Sequence, residues 1–151
     1  MRFWDSSAVV PLLCPQQKTA EVIAIREQDP AVVVWAWTPA ECLSALCRLQ
    51  RDGALSEEGL WLARGRLDDL RRTWTEVSDL AAVTARAERC LLLHPLRAAD
   101  AGQLAAALLL SERLAQGIGF VTFDRRLAEA ARREGLEVIG GAPAPVANEG
   151  R

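Results

Sequence analysis

The chain has 151 residues, half of them hydrophobic and a quarter charged, with a formal net charge of −2. That length and balance fit one ordinary globular domain with a single core. They exclude a protein whose overall basic field would draw it to nucleic acid.

In chain order, Arg2-Phe3-Trp4-Asp5 reads as a short strand. A helix over Ser6–Leu13 follows, which Pro11 weakens and Pro15 stops. A second helix is predicted over about Gln17–Glu27, then a turn at Asp29-Pro30. The run Ala31–Trp35 reads as a strand buried on both faces, as parallel strands are. Thr38-Pro39-Ala40-Glu41 opens the next helix, with Thr38 as cap, Pro39 near the first helical position and Glu41 completing a capping box. That helix ends near Gly53; further helices are predicted from Ser56 to about Arg72 and from Leu80 to Leu93. Asp100 begins, or lies in the first turn of, an apolar helix that Gly117 and Gly119 break. Phe120–Phe123 reads as a strand, Asp124 starts a helix to Glu134, and Leu136–Ile139 is the last strand. The Gly-, Ala- and Pro-rich remainder, 141–151, is expected to be a disordered tail on a single domain over 1–140.

Strands alternating with helices predict an α/β fold, a central parallel sheet of about four or five strands flanked by helices. The longest apolar runs, Leu104–Leu110 and Ala31–Trp37, are too short to span a bilayer. A first strand at Arg2 leaves no room for a signal peptide, so the chain is read as cytoplasmic. Cys14, Cys42, Cys47 and Cys90 lack paired spacing, and His94 is the sole histidine, which argues against zinc. Cys42 and Cys47 read as buried free thiols of an apolar helix.

Four acids stand where a strand or loop hands over to a helix: Asp5, Glu41, Asp100 and Asp124. Ligands of parallel sheets bind at the carboxyl ends of the strands, near the point where strand order reverses. Singly, each acid has a structural explanation as a cap or as a partner of the helix dipole. Jointly, four acids expected on one rim need protons or cations to relieve their repulsion. Oxygen ligands suit Mg²⁺, and one or two such ions activate water against a phosphodiester. A basic stretch, Arg64, Arg66, Arg71 and Arg72, is interrupted by Asp68 and Asp69 and reads equally as a solvated helix face.

The segments FWDSSAVVPLL, TPAECLSALCRLQRDGAL, HPLRAADAGQLAAAL and FVTFDRRLAEAARREGLEV, in that order, resemble the PIN domain. More narrowly, they resemble the VapC toxins of bacterial toxin–antitoxin pairs. The resemblance implies a Mg²⁺- or Mn²⁺-dependent endoribonuclease that cuts tRNA or ribosomal RNA. It maps the acidic quartet, both catalytic and metal-binding, onto Asp5, Glu41, Asp100 and Asp124, with Ser6 and Thr122 as supporting hydroxyls. It also implies a homodimer and a cognate VapB-type antitoxin. The helices over 17–27 and 38–51, with Trp61 and Trp74, offer that partner a groove unless those side chains are simply core.

Other readings stay open. One is a PIN nuclease of RNA maturation, which the lack of a small antitoxin-like reading frame upstream would favour. Another is a non-catalytic α/β binding module whose acids only cap helices. A phosphorelay receiver would need paired acids after the first strand and a late lysine, whereas Ser6 and Ser7 follow Asp5 and the only lysine is Lys18. A haloacid-dehalogenase-type phosphatase would need an aspartate at Ser7.

Overall fold

Three residues suffice for the first strand because its side chains alternate between two apolar layers. The computed structural model describes residues 1–114 and 116–141. Its elements are β1 (Arg2–Trp4), α1 (Ser6–Leu13), α2 (Thr19–Gln28), β2 (Val32–Trp35), α3 (Thr38–Arg51), α4 (Glu57–Arg71), β3 (Thr75–Val77), α5 (Leu80–Leu93), α6 (Ala98–Arg113), β4 (Gly119–Val121), α7 (Arg125–Arg133) and β5 (Glu137–Ile139). The strands form one parallel sheet in the order β3-β2-β1-β4-β5.

Strand periodicity divides the core in two. Phe3, Val33 and Phe120 are in register and point to one face, where they pack on Val83, Leu104, Leu108 and Leu127 of α5–α7. The Phe3 and Phe120 rings stack there with centroids 5.7 Å apart. Trp4, Val32, Val34 and Val121 point to the other face, against Val9, Leu13, Val22, Leu46 and Leu67 of α1–α4. The expected α/β architecture is therefore present, with five strands.

Most element ends lie within a few residues of expectation. Ser56 caps α4 by accepting a hydrogen bond from the Gly59 N–H at 2.9 Å, and Asp79 caps α5 through the Ala82 N–H at 3.0 Å. Helix α1 runs through Pro11: the proline brings no N–H for its own turn, but it sits near the end of an eight-residue helix and is buried. Strand β3 has no counterpart in the reading of the sequence. It is a short polar edge strand, Thr-Glu-Val, carried by its pairing with β2 rather than by an apolar pattern. Among the described residues no helix is long and apolar enough to cross a membrane. The tail expected to be disordered lies, from residue 142 onward, outside the described residues.

Candidate active site

Strand order reverses at β1, which has β2 on one side and β4 on the other, so the carboxyl ends of β1 and β4 face the crevice where such sheets bind ligands. Asp5 follows β1 directly. Its main-chain N–H donates to the Val121 carbonyl at 3.1 Å, which ties it to the end of β4. Asp5 occupies the N-cap position of α1, yet its side chain makes no capping bond. Instead the Ser7 hydroxyl donates to Asp5 Oδ1 at 2.7 Å. Ser7 Oγ in turn accepts the Phe123 N–H at 2.9 Å and lies 3.4 Å from Thr122 Oγ1. Thr122 Oγ1 accepts the Asp124 N–H at 3.1 Å. A continuous polar path thus runs from Asp5 through Ser7 and Thr122 to Asp124. Asp124 also caps α7 by accepting the Leu127 N–H at 2.8 Å.

The other two acids stand on α3 and α6. The capping box expected of Thr38 and Glu41 does not form: Trp37 holds the N-cap position, and Thr38 is buried inside the first turn. Both side chains turn to a common tertiary partner. Gln103 Nε2 donates to Glu41 Oε2 at 2.9 Å and to Thr38 Oγ1 at 3.1 Å, which bridges α6 to α3. Asp100 lies in the first turn of α6, one turn before Gln103, with Arg97 at the N-cap position.

Electrostatics link the four acids in series. Burial raises the Asp5 carboxyl to about 7; bonds from Ser7 and Thr122 oppose the rise and the Glu41 charge adds to it. Burial also raises Glu41, eased by Gln103 and Ser6 and reinforced by Asp100. Asp100 is raised by burial and then by Asp124, with Arg97 and Arg126 pulling it down. Asp5, Glu41 and Asp100 therefore each feel the next carboxylate in the series. Burial and the charges of Glu41 and Asp5 push the Cys42 thiol far up, so it stays protonated beside them.

Cation chemistry fits these donors in kind. Glu41 Oε1 is buried and has no hydrogen-bond partner, and hard carboxylate oxygens are what Mg²⁺ and Mn²⁺ take. Among the described residues, no three His, Cys, Asp or Glu side chains are gathered into a finished cation cage. The acids share an edge and a field rather than a closed ligand set.

Two residues to which the sequence reading gave no supporting role hold this arrangement: Ser7, the hydroxyl partner of Asp5, and Gln103. Their only signal was position, Ser7 two residues after Asp5 and Gln103 one turn after Asp100. Of the proposed partner groove, Trp61 is 75% exposed whereas Trp74 is buried in the core and donates its indole N–H to Glu76. An apolar groove lies between α2 and α4, lined by Leu12, Ile23, Arg66 and Leu70; α3 is not one of its walls.

Comparison with known proteins agrees with the fold. The PIN-domain family model matches residues 2–133. No curated protein matches the sequence. Among solved structures, FitAcB from Neisseria gonorrhoeae superposes with a TM-score of 0.68 at 19% identity, over 93% of this chain and 97% of that one. VapC20 of Mycobacterium tuberculosis, a sarcin–ricin-loop-cleaving toxin, gives 0.63 at 17% identity, over 86% and 95%. FitAB bound to an IR36 DNA fragment gives 0.62 at 19% identity, over 93% and 94%. At such identities these likenesses concern the fold. The match along most of the chain goes further, and the chain belongs to the PIN-domain family.

Proposed function

We propose that the protein is a Mg²⁺- or Mn²⁺-dependent endoribonuclease, the toxin of a VapBC-type toxin–antitoxin pair. The observation that carries this reading is the series of acids at the carboxyl edge of the sheet, Asp5, Glu41 and Asp100, each with its proton affinity raised by burial and by the next carboxylate. Proteins place repelling carboxylates together where positive charge is to be recruited. Asp5, Glu41, Asp100 and Asp124 would hold one or two divalent ions, which when bound lower the pKa of water and neutralise charge on a scissile phosphate. The protein's own part is positional. Ser7 and Thr122 fix Asp5 against the Asp124 turn, Ser6 lies close enough to Glu41 to ease its charge, and Gln103 orients Glu41 so that one oxygen is satisfied and the other free.

Partners follow from exposed apolar surface. Leu92 is 88% exposed at the end of α5, beside Leu91 and Leu93, and Trp61 and Leu62 stand out from α4. Patches of this kind mark interaction sites, and they support a homodimer together with a VapB-type antitoxin seated on the α2–α4 groove. The cytoplasm, where RNA and antitoxin meet, is the corresponding location.

The test is incubation of the purified, antitoxin-free chain with total tRNA and ribosomal RNA, in Mg²⁺, in Mn²⁺ and in EDTA, beside Asp100→Asn. Discrete metal-dependent fragments are expected, reduced at least about a hundredfold in the variant if its carboxylate touches the ion. Cleavage at full rate by Asp100→Asn would overturn the site. Absence of both cleavage and cation binding would return the acids to a structural role.

A further inference from the structure

Beside the acids lies a second charged group that the function above does not use. A cavity of about 330 Å³ is lined by Asp100 and Asp124 together with Arg97, Arg125 and Arg126. All three arginines are exposed, and none is in an ion pair among the described residues. The positions of the three also run against local helix energetics. Arg97 occupies the N-cap position of α6, and Arg125 and Arg126 are the first two residues of α7. A positive side chain there meets the positive end of the helix dipole, where acids or small polar caps are preferred. Breaking such a rule at two adjacent helix starts is expected at a functional site.

The mixture of charges in one cavity narrows the ligand. A simple anion would be repelled by Asp100 and Asp124, and a simple cation by the guanidiniums. A polyanion of regularly spaced phosphates meets both demands: one phosphate sits over the acids once cations neutralise them, and its neighbours reach the arginines. Guanidinium forks match phosphate oxygens two at a time. With a net charge of −2, the molecule has no general attraction for RNA, so a local clamp has to supply it.

We propose that Arg97, Arg125 and Arg126 form a backbone clamp that holds the RNA phosphates flanking the cleavage point, on the α6–α7 side of the acids. The proposal rests on the nuclease reading and assigns the direction in which the strand leaves the site. The three are positioning residues that recognise phosphate rather than base, so they grip RNA of any sequence.

The test measures binding of a fluorescently labelled single-stranded RNA oligonucleotide of mixed sequence to the full chain in Ca²⁺, a hard cation that neutralises the acids, across a KCl titration. Cleavage of total tRNA and ribosomal RNA in Mg²⁺ is followed in parallel. The variants are the triple Arg→Gln, the triple Arg→Lys, and a control, Arg64→Gln/Arg71→Gln, on the exposed face of α4. Three lost contacts at roughly 0.7 each should flatten the slope of log affinity against log salt by about two and weaken binding roughly tenfold or more. In cleavage, KM should rise more than kcat falls. Triple Arg→Lys should restore the salt slope, because the charge returns, while recovering only part of the affinity, because the fork does not. The control should match wild type.

If wild type binds and cleaves while triple Arg→Gln keeps both affinity and salt slope, the clamp is overturned and the nuclease stands. If wild type binds without cleaving and the triple variant loses binding, the clamp stands and the nuclease reading falls. If wild type binds polyglutamate in place of RNA, the arginines serve an acidic protein partner and the clamp is overturned. If wild type neither binds nor cuts RNA, both readings fail.

Discussion

Burial lifts the Asp5 carboxyl from its ordinary 3.8 to about 7, and this fixes a sign for the pH dependence of folding. Between those values the folded chain holds a proton that the unfolded chain has released. The contribution of this group is therefore fully present below the unfolded value and is lost as pH rises through the folded one. Melting in EDTA should show wild type losing a few kcal/mol relative to Asp5→Asn between pH 4 and pH 8. Parallel melting curves across that range would show Asp5 to be solvated. Divalent cations should stabilise wild type more at the upper end, where no proton has to be displaced. Gln103 presents a different case, since its amide holds Glu41 and Thr38 together. Gln103→Leu should weaken Mn²⁺ binding about 10- to 100-fold by titration, as loss of a residue orienting a metal ligand does. An unchanged affinity would confine Gln103 to packing. Neither Gln103 nor Ser7 was legible in the sequence, because a lone amide or hydroxyl has many uses and only the fold names its partner. The acids were legible because four carboxylates at four helix starts exceed what capping requires.

At the scale of elements, α6 matters most, since it carries Asp100 and Gln103 and rests on β2 through Gly102. A Cβ at Gly102 would stand 2.4 Å from Trp35 Cζ3, against the rigid edge of the indole. Gly102→Ala should cost about 1–3 kcal/mol in overpacking, more than the gain of about 1 kcal/mol in helix propensity. Its melting temperature should fall and cleavage should weaken as α6 is pushed off the sheet. Pairing it with Trp35→Leu should recover most of the loss; a stabilised single variant would refute this account of the contact. Elements with strong local signals matched expectation: the capped starts of α4 and α5, the apolar runs of β2 and α6. Thr38 misled because the capping-box pattern competes with a tertiary partner that lies far along the chain. Strand β3 went unseen because three residues, two of them polar and exposed, carry no periodic signal, and its place is set by β2 alone.

Across the whole molecule, fold class was readable because strands buried on both faces announce a parallel sheet. The clustering of the acids followed only once that sheet was granted. What sequence order concealed was the balance of charge around them: Arg97 lies near Asp100, but Arg125 and Arg126 arrive from the far side of β4. The strand order has one more consequence, for the making of the chain itself. Strand β1 emerges from the ribosome before its neighbours and is the middle of the finished sheet, with β2 on one flank and β4 on the other. A nascent chain carries Asp5 early but cannot close it against Asp124 until translation has passed that second residue. For a chain proposed to cut RNA, the message that encodes it is thus translated past Asp124 before the product is able to act.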